Sequence, residues 1–388
     1  MDGDTKHPKE LFMNRVGTIS YNIYCNFTNY GSALQTWALH QAIKKIAGDK
    51  IEPVLVDYCP DVLVDKDPLN PFDNMWDKDE ESRRMCKLSL PAIRENFKKF
   101  DRFYHERFSR TKNKYTSENF NDIVPEESIT SFVCGSDTIF CIDEFKGFDE
   151  GYYANYNCMK GHSVAYAASF GDSHFSEKDY LTLDKRLRNF NAIGLREGQM
   201  LPYVESHVDI PVRRTIDPTL LLTSTDYDTI ADKRIEDSKY LLLYARRYNP
   251  QMEAYAEKLA EENGWEIIEI SLRATNADKP NRRMFYEAGV EEFLSLVKYA
   301  ECVVTNSFHG TIFAVQYCKP MIVFSREQCD TKITELLELF GLSDRLVTPT
   351  KYENEITQKI DYMMVQERIE YARKESLAFL QMELTSCL

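Results

Sequence analysis

The fold is decided by the stretch 16-VGTISYNIYCNFTNYGSALQTWALHQAIKKIAGDKIEPVLVDY-58. It opens with a β-like run, continues through a loop rich in Asn, Tyr and Gly, and reaches a segment in which apolar residues recur at helical spacing. A second apolar run, 51-IEPVLVDY-58, follows and is closed by Pro60. Strand, helix and strand in this order form a βαβ unit, which predicts a parallel sheet.

The alternation of strand and helix returns along most of the chain. Further strands are predicted at 131–137, 163–171, 191–197, 213–222, 240–245, 265–271, 302–307 and 320–325, and helices at 250–263, 290–299, 310–318 and 331–341. We therefore predict the α/β class, with two Rossmann-like domains that face a central cleft.

The predicted domains follow from this rhythm. An N-terminal α/β domain covers residues 1–230 and carries a charged, Pro-punctuated insertion at about 60–128. A polar linker at 223–238 leads into a C-terminal α/β domain at 231–350. The last segment, 351–388, is predicted as two amphipathic helices that pack across both domains.

Composition narrows the class of ligand. The chain has 388 residues, with 48 Lys and Arg against 62 Asp and Glu, which leaves a net charge of −14. Such a chain is not expected to bind nucleic acid through a general basic field, so any anion must be bound by a local cluster of cations and amides. Ten cysteines without a CxxC pair predict no zinc site.

Location is predicted from apolar runs. No run reaches the ~18 residues that a membrane helix needs. The polar stretch 1-MDGDTKHPKELFMNR-15 has no signal-peptide core, from which we expect a cytoplasmic protein.

One histidine lies at a corner between a predicted strand and a predicted helix, in 304-VTNSFHGTIFAVQ-316. Gly310 opens the helix, Ser307 can cap it, and the free N–H groups at its start can bind an anion. His309 would point into the cleft, where its imidazole is the natural acid and base of the chain. An alternative with equal support is that His309 only caps or packs at this corner.

Two other corners carry polar residues. After the strand 131–137, Ser136 and Asp137 can bond a ligand hydroxyl, although Asp137 can equally cap a helix. At the first strand–helix corner, Asn29, Tyr30 and Gly31 form either an acceptor-binding loop or a tight turn.

Several cations follow predicted strands. Arg196 ends the strand 191–197, and its planar guanidinium can clamp a carboxylate or phosphate unless it pairs with Glu197. Arg246 and Arg247 follow another strand, and alternation places one of them in the cleft. Lys332 lies near the start of a helix and can reach an anion.

Common nucleotide and protease motifs are missing from the sequence. There is no GxGxxG, GxxxxGK[ST], GxSxG or HExxH. Their absence argues against a dehydrogenase, a P-loop protein, an esterase and a zinc protease.

An ordered set of segments resembles the polysaccharide pyruvyl transferase family. These are GTISY, NYGSALQTWAL, FVCGSD, AYAASFG, GLRE, DPTLLL, GVEEFLSLVKYAECVVTNSFHGT and KPMIVF, between residue 16 and about 345. The resemblance implies a two-domain fold similar to the GT-B glycosyltransferases. It also implies transfer of a pyruvyl unit from phosphoenolpyruvate to sugar hydroxyls, usually as a ketal, with no metal or redox cofactor.

The resemblance also implies roles for individual residues. His309 and Arg196 match the family's histidine and arginine, and we expect His309 to transfer protons while Asp137 activates an acceptor hydroxyl. Some members carry Arg two residues before the histidine, where this chain has Ser307, so a second cation must come from Arg246 or Lys332. The N-terminal domain is expected on the acceptor side and the C-terminal domain on the donor side.

The acceptor implied is a hexose, with galactose favoured, in the repeat unit of a capsule or exopolysaccharide. If that unit is lipid-linked, the enzyme works at the inner face of the membrane, and the C-terminal helices could touch its surface. Two rival functions stay open: a GT-B glycosyltransferase that uses a nucleotide sugar, and a non-catalytic homologue that binds a glycan or anion.

Overall fold

The computed structural model describes residues 13–21, 28–67, 69, 79–271, 273–326, 330–348 and 359–387. The strands in these ranges are β1 (Asn14–Ile19), β2 (Ile51–Tyr58), β3 (Arg110–Tyr115), β4 (Ile129–Cys134), β5 (Ser163–Ala168), β6 (Ala192–Leu195), β7 (Val212–Arg214), β8 (Tyr240–Tyr244), β9 (Glu266–Ile270), β10 (Arg282–Met284), β11 (Cys302–Thr305), β12 (Met321–Phe324) and β13 (Leu346–Val347). The helices are α1 (Tyr30–Ala47), α2 (Glu80–Glu106), α3 (Ile123–Glu127), α4 (Ile142–Phe145), α5 (Glu177–Leu187), α6 (Leu201–His207), α7 (Ser224–Tyr227), α8 (Pro250–Asn263), α9 (Val290–Tyr299), α10 (Phe308–Gln316), α11 (Asp330–Phe340) and α12 (Tyr362–Cys387).

The strands form two fully parallel sheets, which confirms the predicted α/β class. The first has the order β3-β2-β1-β4-β5-β6-β7 and the second the order β10-β9-β8-β11-β12-β13. Each order reverses between two central strands, β1 and β4 in one sheet and β8 and β11 in the other. In open parallel sheets, ligands bind outside the carboxyl ends of the strands at such a reversal.

The central strands are buried along their whole length. Every residue of β5 (SVAYAA) and of β8 (YLLLY) is buried. A strand that is covered by helices on both faces has apolar side chains on both faces, so its sequence is a continuous apolar run. This run is the pattern from which these strands were predicted.

The predicted insertion contains a strand of the first sheet. The helix α2 buries Phe100, Phe103 and Tyr104, so the aromatic side chains pack in the core. After it, β3 pairs in parallel with β2, where Leu55 lies opposite Arg110. Residues 68 and 70–78 of this segment lie outside the described ranges.

The predicted strand at 213–222 is much shorter in the structure. β7 ends at Arg214, and Asp217 caps a 3₁₀ turn, Pro218–Leu220, with its side chain accepting from the Thr219 amide. Proline cannot donate to a ladder and suits the start of a helical turn, which explains why the strand stops before it.

Within the segment predicted as two helices, residues 362–387 form one long helix. No Gly or Pro interrupts this part of the sequence, and the helix has no reason to break. Near its start the Tyr362 hydroxyl donates to the Lys319 carbonyl in the second half of the chain. At its end the Cys387 carbonyl accepts from Ser131 Oγ, in the first sheet, at 2.7 Å. Residues 349–358 lie outside the described ranges.

The two sheets share one hydrophobic core. Tyr30, at the start of α1, packs between Phe100, Tyr244 and Phe293, with its ring stacked on Phe293 at 4.5 Å between centroids. Its hydroxyl donates to the Ala288 carbonyl at 2.7 Å. The two halves are therefore joined by buried side chains next to the carboxyl ends of both sheets.

Candidate active site

Four polar residues meet at the carboxyl ends of the two sheets. Asp137 follows β4, Arg196 follows β6, Asp217 follows β7, and His309 lies in the first turn of α10 after β11. All four are buried. The structure thus brings three of the predicted residues together and adds Asp217.

Asp217 is the centre of this cluster. Its Oδ2 lies 3.1 Å from Arg196 Nη1 and 3.4 Å from His309 Nε2, while Oδ1 accepts from the Thr219 amide at 3.0 Å and hydroxyl at 2.6 Å. Burial alone would raise the pKa of Asp217, but His309 and Arg196 outweigh it and hold the pKa well below its usual range. Asp217 is therefore an anion at neutral pH.

The imidazole of His309 is oriented by its two neighbours. Nε2 is buried facing Asp217, and among the described residues it has no partner with hydrogen-bond geometry. The other nitrogen lies against the start of α1, since a Cβ added to Gly31 would be 1.9 Å from Nδ1. Only glycine at position 31 leaves room for the ring.

The helix start at His309 is built by Ser307. Its Oγ accepts from the Gly310 amide at 3.2 Å, so Ser307 is the N-cap, and its predicted contact with substrate gives way to this capping role. A Cβ at Gly310 would meet Thr305 Oγ1 at 2.6 Å, which makes Gly310 a packing requirement. The Gly310 amide donates to Ser307 Oγ and the Thr311 amide to the Ser307 carbonyl. In this first turn, the amides of Phe308 and His309 can therefore donate to an anion.

Arg196 is held by several carboxylates. Its Nε donates to Glu197 at 2.6 Å, the pairing that the sequence left as an alternative, and Nη1 lies 3.8 Å from Asp137 in addition to Asp217. The guanidinium carbon lies 4.6 Å from the centre of the Phe308 ring, at a cation–π distance. No acceptor among the described residues lies within hydrogen-bond range of Nη2, so this nitrogen can donate to a ligand.

Asp137 is bonded on both oxygens. Oδ2 accepts from Ser32 Oγ and Oδ1 from the Thr138 amide, each at 2.9 Å. Its φ is 78°, in the left-handed region. Asp137 follows β4, one of the two strands between which the order of the first sheet reverses. It contacts both the cluster and the start of α1.

A cavity of about 350 Å³ adjoins the cluster. Arg196, Asp217 and Phe308 line it, together with Lys332 and Leu336 on α11. Lys332 makes no ion pair or hydrogen bond with the described part of the chain, so its ammonium group is available to an anion in the cavity.

Three predicted contact residues have structural roles instead. Asn29 Oδ1 caps α1 by accepting from the Gly31 amide at 3.0 Å, and Tyr30 packs in the shared core. Ser136 is fully buried, with its Oγ donating to the Ala167 carbonyl at 2.8 Å. Tyr30 and Ser136 are thus enclosed within the protein, whereas Asn29 is half-buried and uses its Oδ1 for the cap.

The corner at Arg246 is held beside that of His309. Asn306 Oδ1 accepts from the Arg246 amide at 2.8 Å, and its Nδ2 donates to the Arg247 carbonyl at 2.7 Å. Burial raises the pKa of the Tyr286 hydroxyl, and the half-buried Arg246 side chain lies close enough to oppose part of this increase. Arg246 thus follows β8, where the strand order of the second sheet reverses. It does not line the cavity that contains Lys332.

Sequence reasoning missed Asp217 and Glu144. A signal for Asp217 was present, because an acidic residue followed by Pro-Thr after a strand is a typical cap. Part of Glu144 is exposed, and its Oε2 accepts from Thr138 Oγ1 at 2.9 Å. Desolvation of the carboxylate raises the pKa of Glu144 to about 7, with Lys332 opposing the increase and Asp137 adding to it.

No metal centre or membrane span is found in the described ranges. No three His, Cys, Asp or Glu residues there are grouped so that they could hold a metal ion. No helix there is both long and apolar enough to cross a bilayer.

The architecture is that of the GT-B class, as solved structures show. The S. aureus MnaA-UDP co-structure aligns with a TM-score of 0.50 at 14% identity, over 96% of this chain and 91% of that one. A protein described as a UDP-N-acetylglucosamine 2-epimerase from Listeria monocytogenes aligns with a TM-score of 0.51 at 11% identity, over 93% and 91%. Identities this low establish the fold alone.

The family follows from the sequence. A model described as polysaccharide pyruvyl transferase matches residues 29–328, a span that contains Asp137, Arg196, Asp217 and His309. The chain belongs to the polysaccharide pyruvyl transferase family and is a transferase that acts on polysaccharide. Among curated proteins, no sequence matches it significantly.

Proposed function

We propose that this enzyme transfers the pyruvyl group of phosphoenolpyruvate to a hexose, with galactose the first candidate, in a polysaccharide repeat unit or its lipid-linked precursor. The product is a pyruvate ketal, and phosphate is released. The observation that carries the proposal is the buried His309–Asp217–Arg196 cluster beside a cavity that also contains Lys332, in a member of a pyruvyl transferase family.

The donor needs a local cationic site in so acidic a protein. Phosphoenolpyruvate carries a phosphate and a carboxylate, and the cavity offers Arg196 Nη2 and Lys332, which pairs with no carboxylate in the described ranges. The start of α10 adds the positive end of a helix dipole at the same place. We therefore assign to Lys332 the role of the family arginine, whose position is occupied by Ser307 in this chain. Arg246 is the second candidate, because it does not line the cavity.

Proton transfer is assigned to His309. Its Nε2 faces Asp217 at 3.4 Å, so the proton exchange with the donor is assigned to Nδ1, which lies against Gly31. His309 adjoins the cavity without lining it, so the donor's methylene carbon must approach the ring at the Gly31 corner. Protonation of that carbon places positive charge on the donor's central carbon. Asp217 is here a positioning residue for His309.

The acceptor then reacts in two steps. One sugar hydroxyl attacks the central carbon and passes its proton to a carboxylate. A second hydroxyl of the same sugar then displaces phosphate and closes the ketal ring; its proton returns to the His309 imidazole, and the carboxyl proton leaves with the phosphate. Asp137 is proposed to receive the first proton, and both of its oxygens also accept hydrogen bonds from the chain. Glu144, whose pKa is raised to about 7 by desolvation, is a second carboxyl group proposed for this task.

Neither a metal nor a redox cofactor is needed in this scheme. The enol phosphate of the donor is itself the activated group, and the residues that act on it belong to the chain. The proposed site of action is the cytoplasm, beside the membrane where the acceptor is lipid-linked.

The decisive experiment measures phosphate release from phosphoenolpyruvate with and without methyl β-galactoside, with mass spectrometry of the sugar. The expected product is heavier than the acceptor by one pyruvate less one water. Replacing His309 with Ala is expected to lower the rate by ~10²–10⁴. The matched control is His174→Ala, because the His174 side chain is 90% exposed and its ion pair is with Asp143, outside the cluster.

The same experiment separates the rival functions. A loss of less than about tenfold in His309→Ala would reject its role as acid and base. Thermal stabilisation by UDP but not by phosphoenolpyruvate would favour a glycosyltransferase, and binding of a glycan without turnover would favour a non-catalytic protein.

A further inference from the structure

The cavity beside the cluster has a wall that the family match does not include. The match ends at residue 328, whereas Tyr371, Ala372, Glu375 and Ser376 on α12 line the cavity. Whatever binds against this wall is therefore recognised by a part of the chain that lies outside the family match.

The wall is fixed relative to the catalytic cluster. Ser376 Oγ accepts from the Ile216 amide at 3.1 Å, next to Asp217. Arg373 donates to the carbonyls of Leu220 and Leu222, at 2.7 and 3.1 Å, on the other side of Asp217. Three hydrogen bonds thus attach the helix to the segment that carries Asp217.

Tyr371 is placed at the mouth of the cavity. It lines the cavity although 72% of the residue is exposed, so one part of the ring faces solvent and another faces the cavity. Glu375 lies one turn further along the same face of α12. Its carboxylate makes no ion pair or hydrogen bond within the described ranges, so it can accept from a ligand.

The cavity combines two kinds of lining. Loops after the strands and α11 contribute the cations Arg196 and Lys332, together with the carboxylates Glu197, Asp217 and Glu335, whereas α12 contributes an aromatic ring and a carboxylate and no cation. An aromatic face combined with a hydrogen-bond acceptor matches a neutral pyranose, whose C–H face is apolar and whose edge carries hydroxyl donors.

We propose that Tyr371 and Glu375 form the subsite for the acceptor sugar. A neutral pyranose packs its C–H face on the Tyr371 ring and donates a hydroxyl to Glu375, with its reacting hydroxyls directed towards Arg196 and Lys332. That the bound sugar is the acceptor rests on the proposed function, whereas the sugar-binding site itself does not.

The test is saturation-transfer NMR and titration with the methyl glycosides of galactose, glucose, mannose and N-acetylglucosamine. At least one glycoside is expected to bind the wild type, with saturation concentrated on the C–H protons of one ring face. Tyr371→Ala is expected to weaken this binding about tenfold, and Tyr371→Phe to leave it within about twofold because the ring is kept. Glu375→Gln is expected to weaken it severalfold.

The control is Met382→Ala, which removes another exposed apolar side chain of α12, 61% exposed, that does not line the cavity. The proposal is overturned if no glycoside binds the wild type, or if Tyr371→Ala binds as well as Met382→Ala. It is also overturned if Tyr371→Ala abolishes thermal stabilisation by phosphoenolpyruvate, because the cavity mouth would then belong to the donor.

Its failure can be distinguished from failure of the proposed function. Glycoside binding that depends on Tyr371, without phosphate release from phosphoenolpyruvate, would keep the subsite and reject the pyruvyl transfer. Phosphate release with an unchanged acceptor KM in Tyr371→Ala would keep the pyruvyl transfer and reject the subsite.

Discussion

At the scale of single residues, the contact between Gly31 and His309 sets which imidazole atom can act. The ring is placed between the carboxylate of Asp217 at Nε2 and the start of α1 at Nδ1. A side chain at position 31 would compete with Nδ1 for the same space. The residue that limits the chemistry of His309 is therefore on the other sheet's first helix, 278 positions away in sequence (309 − 31).

Gly31→Ala is expected to lower kcat at least tenfold, because the added methyl must displace the imidazole. The free energy of unfolding should fall by ~1–3 kcal/mol, the usual cost of overpacking a buried site. Phosphate release and urea unfolding measure the two effects.

The control for this substitution is the double variant Gly31→Ala, His309→Ala. If the methyl acts through the ring, it adds no further loss of rate once the ring is removed. An unchanged kcat in Gly31→Ala would contradict the assignment of Nδ1 as the proton-carrying atom.

The sequence predicted His309, Arg196 and Asp137 as site residues because each lies at a corner after an apolar strand. It could not show that Ser136 and Tyr30 point into the protein, since a corner contains both inward and outward side chains. Nor could it show that Asp217 joins Arg196 to His309, because the three residues come from three separate loops that only the folded sheets bring together.

At the scale of elements, the long buried strands were the predictable ones. Runs such as YLLLY in β8 are apolar throughout, and both their type and their position were confirmed. The edge strand β3 (RTKNKY) was missed, because most of its side chains are charged or polar and three of its six residues are exposed. Its sequence therefore shows no apolar run. The short strands β10 and β13 carry too few residues for a pattern to show.

The attachment of α12 to the Asp217 segment gives a prediction at this scale. Arg373→Met removes a donor from the Leu220 carbonyl and one from the Leu222 carbonyl. The Leu222 carbonyl still accepts from Gln316 Nε2, whereas the Leu220 carbonyl loses its side-chain donor. Leaving one buried carbonyl without a partner is expected to cost ~1–3 kcal/mol in the free energy of unfolding. The activity should fall severalfold, because the Asp217 segment loses its support.

Lys374→Met is the matched control, as the same substitution at the next residue of the same helix. The Lys374 side chain is 73% exposed and its nearest carboxylate, Glu370, is 3.9 Å away. Its stability should stay within about ±0.5 kcal/mol of the wild type. Equal effects of the two substitutions on stability and activity would show that α12 does not support the site.

At the scale of the whole molecule, the active site depends on how the two sheets are joined. His309 belongs to the second sheet, whereas Asp137, Arg196 and Asp217 belong to the first. Their contacts exist only while the two halves keep one relative position. The buried ring of Tyr30, which extends from α1 to Phe293 and Ala288, is a principal connection between the halves.

Tyr30→Ala is expected to weaken this connection and to uncouple the unfolding of the two halves. Removing a large buried aromatic side chain typically costs ~3–5 kcal/mol. The wild type should unfold in one cooperative transition, whereas Tyr30→Ala should show two, with the fluorescence of Trp37 in α1 and of Trp265 before β9 no longer changing together. Single-tryptophan variants in urea unfolding, followed together with circular dichroism, provide the measurement.

Tyr30→Phe separates the ring from its hydroxyl. The Ala288 carbonyl keeps a second donor in Asn96 Nδ2, so loss of the hydroxyl should cost only ~1 kcal/mol and leave a single transition. If Tyr30→Ala also unfolds in a single transition, the halves are coupled mainly through α12 and the rest of the shared core. In that case the integrity of the His309–Asp217 contact would depend on the C-terminal helix more than on Tyr30.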